Sequence, residues 1–249
     1  MGIFHRKEAK PELVPQEYLP RSIGIIMDGN GRWAAKRRQP RKAGHAAGAR
    51  TLRRIIRYCE TRGIGYVTLY AFSTENWRRP AQEVDAIMDL LRDYLREASE
   101  NFRNENVVVH FIGDISRLAP DIQQMIAEAI EFTAHKTGMV VNIAVNYGGR
   151  DDVVHAVRQI AQQVKDGRIA PQDIDEEMIS AHLYTAGQPD PDMILRPSGE
   201  YRLSNFLIWQ AAYSELVFMD VLWPDFTEED MERALHAYAG RQRRFGGIK

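Results

Sequence analysis

Residues 22–33 read SIGIIMDGNGRW, and this stretch decides how the rest of the chain is interpreted. Residues 22–27 form a short apolar run of the kind found in buried strands, and Asp28 ends it. Gly29, Asn30 and Gly31 then predict a turn, because glycine adopts backbone conformations that other residues avoid. A buried strand followed by a polar, glycine-rich turn is typical of α/β proteins with a parallel sheet.

The same alternation continues along the chain. Further strands are predicted at 66–72, 107–112, 139–145, 193–195 and 206–209, and helices at 45–62, 80–105, 121–135, 151–164 and 225–238. Strands that alternate with helices imply right-handed crossovers and a parallel sheet covered on both faces. We therefore expect a single α/β domain over residues 21–249, with a central, mostly parallel six-stranded sheet flanked by helices. Residues 1–20, which are polar and contain three prolines, predict a flexible N-terminal arm.

Composition excludes several classes of protein. The chain has 249 residues and a single cysteine, Cys59, which excludes a disulfide framework and a cysteine-rich zinc site. No apolar run approaches the ~20 residues of a membrane-spanning helix, and the N-terminus has no apolar segment typical of a secretory signal. We expect a soluble protein of a reducing compartment, located in the cytoplasm.

The charge is distributed unevenly. Residues 21–57 contain eleven lysines and arginines and one acid, Asp28, whereas the whole chain has a formal net charge of -1. Such a block fits a solvated helix face, a nucleic-acid site or a site for a small phosphorylated ligand. The block is short, the pI is 6.7 and no nucleic-acid-binding motif is present, so we do not expect nucleic acid as a partner.

The predicted carboxyl ends of the strands favour a phosphorylated ligand, since α/β sheets bind ligands there. These ends read MDGNGRW at 27–33, AFSTENW at 71–77, NYGGR at 146–150 and RPSGEYR at 196–202. Three of the four contain arginine, whose guanidinium group matches phosphate geometry. Arg32, Arg41 and His45 form one candidate phosphate site, and a second comprises Arg196, Arg202 and Ser204.

Asp28 follows a strand within the basic block, where a carboxylate can hold a divalent metal that bridges to phosphate oxygens. Two phosphate sites and one metal-binding carboxylate predict a reaction between two diphosphates. Gly29, Gly31 and Ala34 also match a degenerate dinucleotide-binding fingerprint, but Arg50 occupies the region where that fold places an acidic residue. Asp151 and Asp152, at the start of a predicted helix, are explained by the helix dipole.

Together these blocks resemble the signature sequences of cis-prenyltransferases, most closely those of the bacterial undecaprenyl diphosphate synthase type. The resemblance extends in collinear order from about residue 20 to residue 247, and it includes Gly44-His45, Arg79-Pro80 and the segment 218–226. It implies a homodimer that uses Mg²⁺ to condense isopentenyl diphosphate with an allylic diphosphate, typically farnesyl diphosphate, with new Z double bonds.

The implied product is a long-chain polyprenyl diphosphate such as undecaprenyl diphosphate, the precursor of the lipid carrier for cell-wall synthesis. Such a product implies transient contact with a membrane surface, with the enzyme peripheral at the inner face of the plasma membrane. The alternatives are a short- or medium-chain Z-prenyl diphosphate synthase and, outside this family, a dinucleotide-binding oxidoreductase. A non-catalytic partner subunit is disfavoured, because such subunits lack the acid and glycines that this chain has at 28–31.

The resemblance also implies roles for individual residues. It makes Asp28 a catalytic and metal-binding residue supported by Glu215, Asn30 a catalytic residue that helps hold the allylic diphosphate, and Ser73 and Asn76 catalytic residues near the reacting carbons. The implied substrate-binding residues are Gly29, Gly31, Arg32, Trp33, Arg41, His45, Trp77, Arg79, Arg196, Arg202, Ser204, Arg244 and Gly246. Arg244 and Gly246 belong to a tail that reaches the partner's substrate.

Two residues depart from the family pattern. Pro197 stands where threonine is common, which removes a backbone N–H and a hydroxyl from the second phosphate site. Tyr201 replaces a histidine that has been proposed as a metal contact.

Overall fold

The structure is a computed structural model that describes residues 11–101 and 105–241. Six strands form one parallel sheet in the order β3-β4-β2-β1-β5-β6. The strands are β1 (Ser22–Ile26), β2 (Tyr66–Ser73), β3 (Val107–Ile112), β4 (Met139–Tyr147), β5 (Met193–Arg196) and β6 (Glu215–Phe218). The predicted α/β domain with a parallel six-stranded sheet is therefore confirmed.

Seven α-helices accompany the sheet within the described residues. They are α1 (Asn30–Lys36), α2 (Arg41–Thr61), α3 (Ala81–Asn101), α4 (Pro120–Thr133), α5 (Gly149–Lys165), α6 (Glu176–Ser180) and α7 (Glu228–Ala239). Apolar residues of α2, α3, α4 and α7 form the larger core cluster with the sheet, and a smaller cluster contains Phe206 and Leu207. None of the described helices is long and apolar enough to span a membrane.

The strand predicted at 206–209 is wrong, and the sixth strand is β6. Ser204, Asn205 and Leu207 have φ angles of 52°, 64° and 45°, which are left-handed and incompatible with an extended strand. Phe206 and Leu207 are nevertheless fully buried, because this irregular segment packs its apolar side chains into the smaller core cluster. The apolar run was therefore correctly predicted as buried but not as a strand.

Two helices near the start of the domain differ from the prediction. The expected turn at 29–31 leads directly into α1, and α2 begins at Arg41, four residues earlier than predicted. These helices pack closely, because Gly44 and Gly48 of α2 carry no side chains: a Cβ atom there would lie 2.1 Å from the Asn30 carbonyl oxygen and 2.3 Å from Asn30 Oδ1, respectively. The two glycines thus fix the position of Asn30.

Residues 11–20, the described part of the predicted N-terminal arm, contact the helical layer. Val14 is buried, and its N–H donates a hydrogen bond to the Glu232 carboxylate of α7. Arg62 forms an ion pair with the same carboxylate and donates to the Val14 carbonyl oxygen. Residues 1–10 lie outside the described residues.

Asp152, the second acid of the pair at the start of α5, has a structural role. Asp152 is buried, and its oxygens accept hydrogen bonds from the Tyr147 hydroxyl at 2.9 Å, the Tyr184 N–H at 2.9 Å and the Gln210 amide at 3.1 Å. These contacts join α5 to the sheet and to the segment that follows α6.

Candidate active site

A cavity of about 1140 Å³ lies where the carboxyl ends of β1, β2 and β5 meet. Its walls come from the β1–α1 turn, α2, the segment after β2, α3 and the loop after β5. Strands β1 and β5 are neighbours in the sheet, and the chain leaves β1 toward β2 but leaves β5 toward β6 on the opposite side, which opens a crevice between their carboxyl ends. The sequence prediction that the ligand site lies at the carboxyl ends of the strands fits this cavity.

The β1–α1 turn places Asp28 and Asn30 in the cavity wall. Gly29 has a φ of 110°, which a residue with a side chain rarely adopts, and a Cβ atom there would press against Leu222. The Asp28 carbonyl oxygen accepts a hydrogen bond from the Trp223 N–H at 3.0 Å, which holds the turn against the loop after β6. Asn30 Oδ1 is buried and has no hydrogen-bond partner among the described residues.

Asp28 lies between two arginines. Its Oδ2 atom is 2.8 Å from Arg196 Nη2 and 3.3 Å from Arg32 Nη2. Burial acts to raise the pKa of Asp28, but the hydrogen bond and positive charge of Arg196, together with Arg32, outweigh it, and the pKa is lowered. Asp28 is therefore a carboxylate at neutral pH.

Arg196 connects Asp28 to the second predicted phosphate site. It is only 3% exposed, and its Nη1 atom donates to Ser204 Oγ at 2.9 Å and to the Arg202 carbonyl oxygen. The Arg196 Nε atom is buried and has no partner among the described residues. Arg202 and Arg32 both contact the carboxylate of Glu200, so the guanidinium groups of 32, 196 and 202 form one connected cluster.

A separate cationic group lines the cavity near the start of α2 and α3. Arg41 and Arg79 both form ion pairs with Glu83, and His45 lines the same part of the cavity. Burial, followed by the positive charge of Arg79, lowers the pKa of His45, with Glu83 acting in the opposite direction. His45 is therefore mainly neutral at neutral pH in the free protein.

The segment after β2 brings Ser73 and Asn76 to the cavity wall. The Ser73 N–H donates to Asn76 Oδ1 at 3.1 Å, so each residue orients the other. The motif at 146–150 supports the cavity wall indirectly, by holding Asn205, which lines the cavity. The Gly149 N–H donates to the Asn205 carbonyl oxygen, and the Arg150 N–H donates to the Asn205 side-chain oxygen.

The opposite end of the cavity is apolar. Its lining consists mainly of residues from α2, β2 and α3, among them Leu52, Leu69, Ile87, Leu90, Leu91 and Tyr94. Ala71, a small residue on β2, also lines it. A ligand that combines a phosphate group with a hydrocarbon chain fits this distribution, because the two ends of one cavity offer opposite polarity.

Most of the predicted site residues of the described chain are thus brought together. The cavity is lined by Asp28, Gly29, Asn30, Gly31, Arg32, Arg41, His45, Ser73, Asn76, Arg79, Arg196, Arg202 and Ser204. Arg244 and Gly246 lie outside the described residues.

Trp33 and Trp77 are not brought into the cavity lining. Trp33 Nε1 donates to Asp225 at 2.6 Å, and its ring lies under the Arg37 guanidinium group. Trp77 Nε1 donates to Asn146 at 2.8 Å, and its ring packs edge-on against Phe72. Both tryptophans therefore support the segments that carry the site.

Glu215 is also separated from Asp28 within one chain. It pairs with Met193 of β5, which in turn pairs with Ile23 of β1, so Glu215 lies at the amino end of the parallel sheet. Asp28 lies beyond the carboxyl end of β1, and Ile23 to Ile26 alone span about 10 Å along the strand direction at ~3.3 Å per residue. Glu215 is paired instead with Arg241 at 2.8 Å.

Glu83, which bridges two of the predicted arginines, was not among the site residues predicted from the sequence. The signal was present, because Arg79 and Glu83 are four residues apart at the start of a predicted helix, where side chains meet. Their atoms Nη1 and Oε1 lie 2.9 Å apart. The contact of Glu83 with Arg41 depends on tertiary packing and had no sequence signal.

The fold and the cavity define an α/β protein with an anion-binding site that opens onto an apolar pocket. Comparison with known proteins supplies the family. Residues 26–246 match the prenyltransferase family model described as "Putative undecaprenyl diphosphate synthase". The chain therefore belongs to this family and is a prenyltransferase.

Individual relatives agree with this assignment. The chain is 48% identical to an isoprenyl transferase of Clostridium perfringens, over 94% of this chain and 92% of the relative. It is 51% identical to the ditrans,polycis-undecaprenyl-diphosphate synthase ((2E,6E)-farnesyl-diphosphate specific) of Salmonella paratyphi A, over 92% and 91% of the two chains.

Solved structures agree as well. A lavandulyl diphosphate synthase from Lavandula x intermedia, in complex with dimethylallyl diphosphate, superposes with a TM-score of 0.90 at 38% identity, covering 92% of this chain and 99% of the other. A probable undecaprenyl diphosphate synthase from Campylobacter jejuni superposes with a TM-score of 0.76 at 33% identity, covering 91% and 98%.

Proposed function

We propose that this prenyltransferase condenses isopentenyl diphosphate with an allylic diphosphate, with farnesyl diphosphate as primer, and forms Z double bonds. One observation carries the proposal: a single cavity is lined by Asp28, by two groups of cationic side chains and by an apolar end. Two cationic groups suit two diphosphates, and the apolar end suits the growing chain. The Salmonella paratyphi A relative, which is named as farnesyl-diphosphate specific, supports the choice of primer.

In this proposal the cluster around Arg196, Arg202 and Ser204 binds isopentenyl diphosphate. Arg41, His45 and Arg79 bind the allylic diphosphate together with Asn30 and the glycine-containing turn. The allylic C–O bond breaks and the diphosphate leaves with the electron pair, so positive groups aligned on its oxygens stabilise the charge that develops. The isopentenyl double bond then attacks the allylic carbon.

The condensation ends with loss of a proton from the isopentenyl unit, and an oxygen of the released diphosphate accepts that proton. Ser73 and Asn76 are the proposed groups near that carbon, because both line the cavity and are oriented by their mutual hydrogen bond. The released diphosphate then leaves the cavity past the exposed guanidinium groups of Arg41 and Arg79.

The donor set fits Mg²⁺ that arrives with a diphosphate. Asp28 is ionised, and no cluster of three or more metal-binding side chains exists in the described part of the chain. Mg²⁺ is commonly held by one or two carboxylates together with substrate phosphates. Asp28 would hold the ion, which supplies charge neutralisation at the diphosphate oxygens.

We further propose a long-chain product such as undecaprenyl diphosphate and a homodimeric enzyme. The apolar end of the cavity supports a long chain. A lipid product would bring the enzyme into transient contact with a membrane surface. The product would serve as the precursor of a lipid carrier for cell-wall synthesis. In a homodimer, Arg244 and Gly246 would reach the partner's substrate. Because Glu215 is remote from Asp28 in its own chain, a metal contact would have to come from the partner subunit's Glu215.

The test is incubation of the purified protein with labelled isopentenyl diphosphate, farnesyl diphosphate and Mg²⁺, with products sized by mass spectrometry. We expect a ladder of prenyl diphosphates that ends at a long chain and disappears when EDTA is added. A product of one or two added units would instead identify a short- or medium-chain synthase. Absence of any condensation product would contradict the proposal.

The assignment of the two pockets has its own test. Arg202→Ala should mainly raise the KM for isopentenyl diphosphate, and Arg41→Ala should mainly raise the KM for farnesyl diphosphate. The opposite pattern would show that the two pockets are exchanged.

A further inference from the structure

Glu83 joins two arginines that come from distant parts of the chain. It lies in the first turn of α3 and lines the cavity. Its Oε2 atom accepts a hydrogen bond from Arg41 Nη1, at the start of α2, and its Oε1 atom accepts one from Arg79 Nη1 at 2.9 Å. One carboxylate therefore sets the distance between two guanidinium groups at the cavity.

The exposures of the three side chains show which of them faces a ligand. The Glu83 side chain is 13% exposed, whereas those of Arg41 and Arg79 are 67% and 40% exposed. The carboxylate is thus the buried member, and the arginines are the accessible ones. If the Glu83 carboxylate stood in the place of the ligand, it would be the exposed group and the two arginines would be buried behind it.

The hydrogen-bond inventory leads to the same conclusion. A guanidinium group has five N–H donors, and each arginine uses a single nitrogen, Nη1, toward Glu83. Neither guanidinium group has another hydrogen-bond partner within the described residues, so the remaining donors are available for phosphate oxygens. Two guanidinium groups held side by side would repel each other, and the shared carboxylate offsets that repulsion.

We propose that Glu83 is a positioning residue that holds Arg41 and Arg79 as one diphosphate clamp. The identity of its ligand, the diphosphate of the allylic substrate, rests on the proposed function. Glu83 itself does not contact the ligand; it acts through the two arginines, which it keeps at a spacing that lets both contact one diphosphate group.

A purely structural role is the competing explanation. Glu83 is an acid in the first turn of a helix and is four residues from Arg79, and both features stabilise helices. Asp85 provides a matched comparison: it is an exposed acid in the same helix, two residues further on, and it has no ion-pair partner among the described residues. Asp85→Asn removes the same charge from the same helix without touching the clamp.

The experiment compares Glu83→Gln with Asp85→Asn by calorimetric titration with farnesyl diphosphate and, separately, with inorganic pyrophosphate. We expect Glu83→Gln to weaken binding of both ligands by about tenfold or more, as for the loss of a charge-assisted contact. Asp85→Asn should leave both affinities within about twofold, the usual range for a surface site. The KM for isopentenyl diphosphate should not change in either variant.

A double-mutant comparison separates positioning from stability. In an Arg41→Ala Arg79→Ala background, Glu83→Gln should have little further effect on pyrophosphate affinity, because its targets are gone. If Glu83→Gln lowers the melting temperature, Glu83→Asp, which keeps the charge, is measured in its place and should retain more affinity than the glutamine variant.

Four outcomes would overturn the proposal: equal affinities in Glu83→Gln and Asp85→Asn, tighter binding in Glu83→Gln, an undiminished effect in the double-alanine background, or no binding of either ligand by the wild-type protein. The proposed function fails differently. Wild-type protein that binds pyrophosphate through the clamp but forms no prenyl product would contradict the function and leave the clamp supported.

Discussion

Asp28 shows how a partly buried carboxylate can remain charged. Burial alone would favour its protonated form, yet two arginines from different segments contact one of its oxygens, and its pKa is lowered. The carboxylate is thus ready to hold a cation at neutral pH. It also keeps Arg196 and Arg32 from repelling each other at the point where both face the cavity.

Replacement of Asp28 tests its proposed catalytic role. Asp28→Ala should reduce turnover by at least about 10²–10³-fold, comparable to the loss of one strong transition-state contact, while circular dichroism shows a folded protein. The rate is measured at saturating concentrations of both substrates, with Asp85→Asn as a control for loss of one negative charge. A folded Asp28→Ala protein with normal turnover would show that Asp28 has no part in catalysis.

His45 should take up a proton when a diphosphate binds. Its pKa is lowered below the ordinary 6.5 in the free protein by burial and by Arg79 and Arg41, with Glu83 opposing. A bound diphosphate adds negative charge and should raise this pKa again, so affinity should fall as pH rises from about 6 to 8.

Calorimetry in buffers of different ionisation enthalpy measures this proton uptake directly. At about pH 6.5, near the ordinary histidine pKa, the wild-type protein should take up more protons per bound farnesyl diphosphate than His45→Asn. The comparison of the two proteins removes the contribution of the ligand's own titration. Equal proton numbers in the two proteins would place His45 outside the diphosphate site.

At this scale the sequence predicted the polar residues of the site better than the aromatic ones. Arginines and acids at strand ends have few alternatives to a ligand site when they cluster, so Asp28 and Arg196 could be recognised. Trp33 and Trp77 stood in the same motifs, but an indole can pack in many ways. Only the fold shows that their N–H groups bond Asp225 and Asn146.

The contact between α1 and α2 depends on two glycines one helical turn apart. Gly44 faces the Asn30 backbone, and Gly48 faces the Asn30 side chain and Trp223. The first contact determines where α1 lies, whereas the second determines the orientation of the Asn30 amide. Separate substitutions can therefore distinguish the position of a helix from the orientation of one side chain.

Gly48→Ala should reduce turnover about tenfold or more with little loss of stability. Its new Cβ atom collides with the movable Asn30 side chain, and the gain in helix propensity of about 1 kcal/mol offsets part of the strain. Gly44→Ala collides with backbone instead and should lower the free energy of unfolding by about 1–3 kcal/mol. Denaturant unfolding and steady-state rates of both variants check this order, and equal effects on both quantities would contradict it.

The elements were predicted well wherever the hydrophobic pattern was long and periodic. β1, β2, β3, β4, α3 and α4 lie close to their expected positions, because buried strands and amphipathic helices leave clear periods. β6 was missed because Glu215–Phe218 is only four residues long, and the run at 206–209 was more apolar. Left-handed residues flank and interrupt that run, a property that hydrophobicity does not encode.

The molecule as a whole has an uneven charge that is nearly neutral in sum. The basic block is concentrated in α1, α2 and their connection, and Lys36, Arg38 and Lys42 are exposed with no ion-pair partner among the described residues. This connection borders the cavity, since Ala35 and Gln39 line it. The resulting positive potential should attract anionic substrates to the entrance.

The rate of substrate capture should therefore depend on salt. Between about 50 and 500 mM KCl, kcat/KM for farnesyl diphosphate should fall several-fold, because the Debye length shortens from roughly 14 to 4 Å. A Lys36→Ala Arg38→Ala Lys42→Ala variant should start from a lower value and have a shallower slope. Parallel slopes for the two proteins in stopped-flow or steady-state measurements would show that this connection does not steer the substrate.

Arg196 couples the binding of a cation at Asp28 to the binding of an anion at the loop after β5. Its Nη2 atom donates to Asp28, and its Nη1 atom donates to Arg202 and Ser204 in the loop after β5. A cation that engages Asp28 therefore alters the hold on that loop, and by reciprocity an anion captured by the loop must change the affinity for the cation by the same factor. Titrations of Mn²⁺ with and without isopentenyl diphosphate, and of isopentenyl diphosphate with and without Mn²⁺, should yield one common cooperativity factor greater than one, which Arg196→Lys diminishes.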